Sequence, residues 1–134
     1  MAKEYRATHR FARISPRKAR YVMDLVRSRP VEHALETLRY TRRRAAPMIA
    51  KVVRSALANA IQEGGAQAEE LTVVRAFVDE GPTWKRWRPR ARGMAFPILK
   101  RTSHLSIILG EEPPGAATQK KASEKQASRK KTES

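Results

Sequence analysis

The sequence contains no cysteine, which excludes both a disulfide framework and a metal site built from thiolates. Long apolar runs are missing as well. The longest aliphatic stretch, residues 105–109, is interrupted by Ser106 and is far too short to span a bilayer. No apolar segment follows the charged residues near the first Met, so the sequence predicts no secretory signal. From these absences we expect a cytoplasmic protein without membrane contact.

Acidic residues are also scarce. The chain has 13 Asp and Glu against 29 Lys and Arg, which gives a formal net charge of +16. A folded domain with this excess repels itself, so a permanent polyanionic partner is expected. Nucleic acid is the first choice for that partner, and an anionic membrane surface is the second.

The carboxy-terminal part of the sequence differs from the rest. Residues 112–134 contain no aromatic side chain and no aliphatic one larger than Ala. Such a segment cannot bury enough apolar surface to offset the entropy of ordering it, which predicts a disordered basic tail. The remaining residues still carry a net charge of +13. We therefore predict a single globular RNA-binding domain over residues 1–111, followed by the tail.

Apolar spacing predicts three helices. Ser15 followed by Pro16 is a typical helix start, with Ser as the cap and Pro at the first helical position. Apolar residues continue at helical spacing as far as Val26. A second, short helix is predicted from Pro30. The third helix has a continuous apolar stripe over residues 48–61 and ends at the following pair of glycines.

Alternation and β-branched residues predict three strands, at residues 5–13, 71–78 and 102–109. This order of elements predicts an α+β fold with three helices packed on a small three-stranded antiparallel sheet. Residues 81–101 join the last two strands and are predicted to form a long β-hairpin. An arm of twelve extended residues spans roughly 40 Å, whereas a compact domain of this size has a radius of gyration of about 13 Å. The hairpin must therefore protrude from the body or lie across it, and we predict a long protruding β-hairpin.

The hairpin segment is rich in arginine. Between residues 81 and 110 there is no acidic residue, and seven residues are Lys or Arg. Within it, every second position is occupied by Arg86, Arg88, Arg90 and Arg92. In an extended chain this period places the four guanidinium groups on one face, where a counter-anion is expected. Arginine binds phosphate through paired hydrogen bonds, which suits an RNA backbone.

Aromatic residues are interleaved with these arginines. Trp84, Trp87 and Phe96 are candidates for stacking on exposed bases. Pro89 and Pro97 lack a backbone donor, so the segment cannot be a strand in the interior of a sheet. The combination predicts an arm that binds RNA.

Two more clusters of cations lie at predicted helix starts. Arg17 and Lys18 fall in the first turn of the first helix, where a cation opposes the helix dipole by roughly 0.3–1 kcal/mol at low salt. A phosphate docked at that helix end would reverse the penalty. The run Arg42, Arg43 and Arg44 repeats the arrangement before the third helix. These clusters predict a surface that meets RNA on several sides.

Five blocks of residues occur in a specific order. They are Ile14-Ser15-Pro16-Arg17-Lys18-Ala19-Arg20, Ser55-Ala56 with Ala58-Asn59-Ala60, Val78-Asp79-Glu80-Gly81-Pro82-Thr83, Pro89-Arg90-Ala91-Arg92-Gly93, and Lys100-Arg101-Thr102-Ser103-His104. In this order the blocks resemble the bacterial large-subunit ribosomal protein twenty-two family over roughly residues 5–110. One block alone is weak evidence for a family, but five blocks in this order are highly specific for it.

The resemblance implies a structural constituent of the ribosome that binds large-subunit rRNA, assists subunit assembly and contacts neighbouring large-subunit ribosomal proteins. It also implies that the hairpin lines the nascent-polypeptide exit tunnel near the macrolide region and meets the nascent polypeptide transiently. No homo-oligomer is expected. The residues implied at the hairpin tip and tunnel are Pro89, Arg90, Ala91, Arg92, Gly93 and Met94.

Composition and resemblance together predict one rRNA-binding set. Its members are Arg10, Arg13, Arg17, Lys18, Arg42, Arg43, Arg44, Lys85, Arg86, Arg88, Arg90, Arg92, Lys100, Arg101 and His104.

An enzyme is the first competing hypothesis. His9, His33 and His104 are far apart and have no ligand-spaced partner. The neighbours Asp79 and Glu80 point to opposite faces of a strand, so they cannot serve one reaction centre together. They are instead expected to pair with arginines at the hairpin base. No glycine-rich phosphate loop or nucleophile motif is present. The sequence therefore predicts no catalytic residue, no metal and no cofactor.

Two kinds of binding protein also compete with a ribosomal constituent. A free-standing basic RNA chaperone would share the charge and the aromatic residues, and composition does not separate the two. It would bind many RNAs with a steep salt dependence and little selectivity. A membrane-surface protein would carry lysines beside a bulky apolar helix face. The third helix instead has a stripe rich in Ala and Val, which suits packing on a sheet.

Overall fold

The structure, a computed structural model, describes residues 3–111. The elements follow the order β1 (Glu4–Ala12), α1 (Pro16–Met23), α2 (Val31–Tyr40), α3 (Ala45–Gly64), β2 (Thr72–Pro89) and β3 (Ala95–Gly110). Short 3-10 turns occupy Ala68–Glu70 and Ala91–Gly93. The predicted α+β fold is confirmed. The tail predicted at 112–134 lies outside the described residues and stays a prediction.

The three strands form one antiparallel sheet in the order β1-β3-β2. β3 is the central strand, and β2 pairs with it from Thr72 opposite Gly110 to Pro89 opposite Ala95. The sequence predicted two short strands, 71–78 and 102–109, joined by a hairpin over residues 81–101. Instead, the same two strands run from the body into the hairpin. The body and the hairpin are therefore one continuous piece of sheet.

The helices cover one face of this sheet. Both α1 and α3 pack on the strands, and α2 packs against α3. Strand alternation turns Leu105, Ile107 and Leu109 of β3 towards the helices, where all three are fully buried. Ile49 and Val53 of α3 meet them from the other side. Each such side chain contributes about 1.5–3 kcal/mol on burial, so this layer holds the body together.

The first helix begins as predicted and ends earlier. Ser15 is the cap, and its hydroxyl accepts a hydrogen bond from the N–H of Lys18 at 3.5 Å. The prediction that the helix reaches Val26 is wrong, because α1 ends at Met23. Val26 is nevertheless fully buried, which explains its apolar character. The chain reverses at Ser28, which has a positive φ of 57°, and then runs along the sheet edge.

The third helix has the predicted ends but a narrower apolar face. It ends at Gly64, and Gly65 follows in the left-handed region with φ 64°, a conformation that favours glycine. Ile61 was predicted inside the apolar stripe but is 53% exposed. In this last turn the helix approaches the sheet through Gly64, where a Cβ would overlap the ring of Tyr5. Ala60 and Gly64 lie one turn apart on the face of α3 that is turned to the sheet, and Ile61 lies beside that face.

The outer edge of β2 is covered by arginines from the α1 region. The Arg20 guanidinium donates to the carbonyl of Val78 at 3.1 Å, and Arg27 Nε donates to the carbonyl of Ala76 at 2.8 Å. Charged side chains of this kind keep an edge strand from pairing with another chain. Part of the basic excess therefore serves the fold.

Candidate nucleic-acid interface

The hairpin stands clear of the body. Between residues 82 and 101 every side chain is exposed except that of Ile98, which is half-buried. Side chains alternate between the two faces of a strand, so a hairpin lying across the body would have one face buried. The structure therefore selects the protruding arrangement. Its paired arm, residues 83–89, reaches roughly 20 Å at about 3.3 Å per residue.

Both faces of the hairpin combine cations with bulky apolar side chains. Residues directly opposite each other in the sheet share a face. One face carries Trp84, Arg86, Arg88, Phe96 and Lys100, and the other carries Lys85, Trp87, Leu99 and Arg101. This two-sided distribution suits an arm with RNA on both sides rather than one that rests on a flat surface.

The hairpin closes in a tight turn at its tip. The N–H of Arg90 donates to the carbonyl of Met94 at 2.7 Å, and the N–H of Met94 donates to the carbonyl of Ala91. Arg92 and Gly93 have positive φ angles of 61° and 69°, so the turn lies among the residues implied at the hairpin tip. The prediction that four arginines share one face is wrong for Arg92, because strand alternation ends before the turn.

A bulge marks the root of the hairpin. Gly81 and Pro82 together oppose the single residue Thr102, whose hydroxyl donates to the carbonyl of Pro82 at 2.6 Å. A Cβ on Gly81 would lie 2.5 Å from Thr102 Oγ1, so only glycine fits there without a shift. Because a bulge bends the strand and increases its twist, this one sets the direction in which the hairpin leaves the body.

A cation–π contact ties the hairpin to the loop after β1. The guanidinium carbon of Arg13 lies 5.2 Å from the ring centroid of Trp84, and that of Arg86 lies 5.8 Å from it. At an exposed site such a contact contributes about 0.5–1 kcal/mol. The structure thus gives Arg13, predicted to bind rRNA, a second role in holding the hairpin root.

The carboxylates at the root do not pair as predicted. Asp79 and Glu80 are exposed and make no ion pair within residues 3–111. The ion pairs of this range are Asp24–Arg27 and Glu4–Arg75. The prediction of a carboxylate–arginine pair at the hairpin base is therefore wrong. The nearby guanidinium groups of Arg20 and Arg27 bind strand carbonyls instead.

The two helix-start clusters meet in one groove. It encloses about 460 Å³ and is lined by Ile14, Ser15, Arg17, Lys18, Tyr21, Arg43, Arg44 and Ala45. The first turns of α1 and α3 contain no acidic residue, and Arg44 gives α3 no side-chain cap. The positive ends of two helix dipoles and the cations beside them attract an anion, so the groove is suited to a phosphate. Arg42 is exposed beside the groove but does not line it.

Sequence reasoning missed two exposed aromatic residues of the body. Tyr21 is 61% exposed and lies in the groove, one helical turn after Arg17; this spacing was a usable signal. Phe11 is 59% exposed and lies beside His104. Simple alternation from Tyr5 would have placed Phe11 inside, so no pattern in the sequence indicated its exposure.

The remaining chemistry of the described residues is limited. The imidazole of His33 lies near Arg29 and Thr37, and that of His104 lies beside Phe11. Within residues 3–111 no three His, Asp or Glu side chains are placed to hold a metal ion. No helix of this range is long and apolar enough to cross a membrane.

A comparison with known protein families identifies the family of this chain. The model for the family described as ribosomal protein L22p/L17e matches residues 7–110. The chain belongs to this family. The resemblance to this family inferred from the five sequence blocks is thereby confirmed, whereas the bacterial branch stays a prediction. Proteins of the L22p/L17e family are structural constituents of the large ribosomal subunit in the cytoplasm, and they bind rRNA beside other ribosomal proteins.

Membership in the L22p/L17e family explains the charge of the body. The family is structural rather than enzymatic, and rRNA is the polyanion that the net charge of +16 requires. The match includes the whole hairpin and both halves of the groove. The basic surfaces of the chain therefore belong to an rRNA-binding protein.

Proposed function

We propose that the hairpin passes through large-subunit rRNA and lines the nascent-polypeptide exit tunnel near the macrolide region, while the body binds rRNA at the subunit surface. The observation that carries this proposal is the exposure of both hairpin faces together with their cations and aromatic rings. The protruding arm has no protein surface to pack on. Phosphates of rRNA can bind its cations, and bases of rRNA can stack on its aromatic rings. The residues proposed for this role are those of the predicted rRNA-binding set.

The groove between α1 and α3 supplies a second proposed attachment point. Four cations, Arg17, Lys18, Arg43 and Arg44, and two helix starts face the same volume. A phosphodiester in this groove relieves the repulsion among the four cations and the opposition between cations and helix dipoles. The groove fixes the body, and the hairpin reaches away from it.

Two separate contact regions also support a role in subunit assembly. A single chain that binds rRNA through the groove and through the hairpin holds distant parts of the RNA at a fixed separation. Linked sites of this kind bind with an effective concentration set by their connection. Here that connection is the folded body, from which β2 and β3 continue into the hairpin. We propose that the chain acts as a single copy in this role.

The tunnel assignment predicts contact between the hairpin tip and a nascent polypeptide. Because the chain has no cysteine, a single thiol can be introduced at Ala91 and carry a cross-linker. In large subunits assembled with this variant, cross-links from Ala91→Cys to a stalled nascent chain are expected. The measurement is gel mobility of the radiolabelled nascent chain before and after cross-linker cleavage.

The matched control is Tyr40→Cys, a thiol on α2 at a side chain that is 74% exposed. It is expected to yield no nascent-chain cross-link, because α2 belongs to the body, where it packs against α3, and is not part of the hairpin. Equal cross-linking from both positions, or none from Ala91→Cys in assembled subunits, would contradict the tunnel assignment.

A further inference from the structure

The backbone of β1 leaves the regular sheet just before its end. His9 pairs with Leu105 and Ala12 with Ser103, so two residues of β1 oppose the single residue His104. One of the two is Phe11, which has a positive φ of 58°. The left-handed region is strained for a bulky side chain. The bulge turns Phe11 away from the core, and the strain is not offset by burial, since the ring is 59% exposed.

The exposed ring is nevertheless held in a fixed position. The N–H of Phe11 donates to Nδ1 of His104 at 3.0 Å, and the two rings meet edge to face with centroids 5.0 Å apart. With Nδ1 as the acceptor, the ring proton of the neutral imidazole is on Nε2. A Cβ on Gly81 would lie 3.3 Å from the imidazole Cε1, so the lack of a side chain at Gly81 makes room for the histidine.

This pair lies on the same side of the sheet as the more basic hairpin face. Phe96, Lys100 and His104 are spaced by four residues along β3, so their side chains point to one side. Trp84 shares this side as the partner of Lys100. A continuous surface therefore runs from the hairpin through Trp84 to Phe11, opposite the face that the helices cover.

The charges around Phe11 favour a nucleic acid over a protein partner. Arg10 precedes it in the bulge, and Arg13 follows it and stacks on Trp84. Neither arginine makes an ion pair within residues 3–111. A fixed aromatic ring with free cations beside it is the arrangement that stacks an unpaired base and binds its phosphates.

We propose that Phe11 and His104 form a stacking site for an unpaired rRNA base at the hairpin root, with the base on the open face of the Phe11 ring and a flanking phosphate on Arg10. The site rests on the proposed rRNA-binding function and deepens it, since it adds recognition of a base to contacts with the RNA backbone. It requires a single-stranded or bulged nucleotide, because a paired base offers no free ring face.

The test uses the full chain with three probes: deproteinised large-subunit rRNA, a short single-stranded oligoribonucleotide, and an abasic oligomer of the same length. Phe11→Leu is expected to weaken binding of the oligoribonucleotide about tenfold. Its salt dependence should not change, because no phosphate contact is lost. Binding of the abasic oligomer should also stay the same. Phe11→Tyr keeps the ring and is expected to bind like the unchanged chain.

Two further variants are controls, one for folding and one for the loss of an exposed aromatic ring elsewhere. Phe11→Asn removes the ring, and Asn tolerates a positive φ, so it should keep the thermal unfolding midpoint while it weakens binding like Phe11→Leu. Tyr40→Leu removes another exposed aromatic side chain from the body and should leave binding unchanged.

The stacking site is overturned if Phe11→Leu binds the oligoribonucleotide as tightly as the unchanged chain, or loses affinity equally for the abasic oligomer. A loss confined to co-assembly with ribosomal proteins would also overturn it, in favour of a protein partner. Failure of the unchanged chain to bind the deproteinised rRNA would instead contradict the proposed function itself.

Discussion

Replacing Arg88, Arg90 and Arg92 together with Gln is expected to lower the slope of log affinity against log salt concentration by up to about three units for large-subunit rRNA. Each arginine that binds a phosphate releases counterions, and each loss removes about one unit from the slope. The three side chains are fully on the exposed arm and tip, so their loss should leave the unfolding free energy of the body unchanged. Binding of the full chain to deproteinised rRNA, measured across a salt series, provides the slope.

The matched control removes the same charge from the helices. Arg39, Lys51 and Arg54 are exposed on α2 and α3 and lie outside the groove and the hairpin. Their triple replacement with Gln should change the slope by much less than the hairpin triple. An equal reduction from both triples would mean that only net charge matters, and the hairpin would lose its special place in the interface.

The second large effect is expected from Lys18→Glu, and it has opposite signs for folding and binding. Lys18 lies three residues after the helix cap Ser15, so Glu at this position completes a capping box and complements the helix dipole. The free energy of unfolding should rise by about 1 kcal/mol. Affinity for rRNA should fall by about tenfold to a hundredfold, because a charge-assisted phosphate contact is replaced by repulsion.

Urea denaturation and rRNA titration of the same preparation measure the two effects. Lys51→Glu makes an identical change in net charge in the middle of α3 and serves as the control. It should leave affinity close to that of the unchanged chain. If Lys18→Glu binds as tightly as Lys51→Glu, the groove does not bind rRNA. A gain in stability combined with a loss in binding would show that the cation at this helix start is kept for the ligand.

Local patterns were sufficient to predict most elements of the fold. Three features depend only on neighbours in sequence and could be predicted: the Ser15-Pro16 start, the glycine end of α3 and the apolar alternation of β3. The hairpin without acidic residues could be predicted for the same reason. Its length predicted that it protrudes, whereas the exposure of both its faces followed only from the structure, because it depends on what the body leaves uncovered.

Features that depend on residues distant in sequence could not be predicted. The groove needs the starts of α1 and α3 to be neighbours, and nothing in either cluster encodes that distance. Arg20 and Arg27 bind carbonyls of β2, and no residue near either arginine in the sequence indicates this contact. The bulge at Phe11 reverses the direction that alternation predicts for its side chain.

Hydroxyl-radical probing from single introduced thiols tests whether rRNA surrounds the hairpin. An iron chelate on Ala91→Cys at the tip and one on Thr83→Cys at the root are assembled into large subunits. We expect both positions to cleave large-subunit rRNA at two distinct sets of nucleotides, since the paired arm separates them by roughly 20 Å. Cleavage from the root together with none from the tip would contradict this expectation, because the hairpin would then project into solvent.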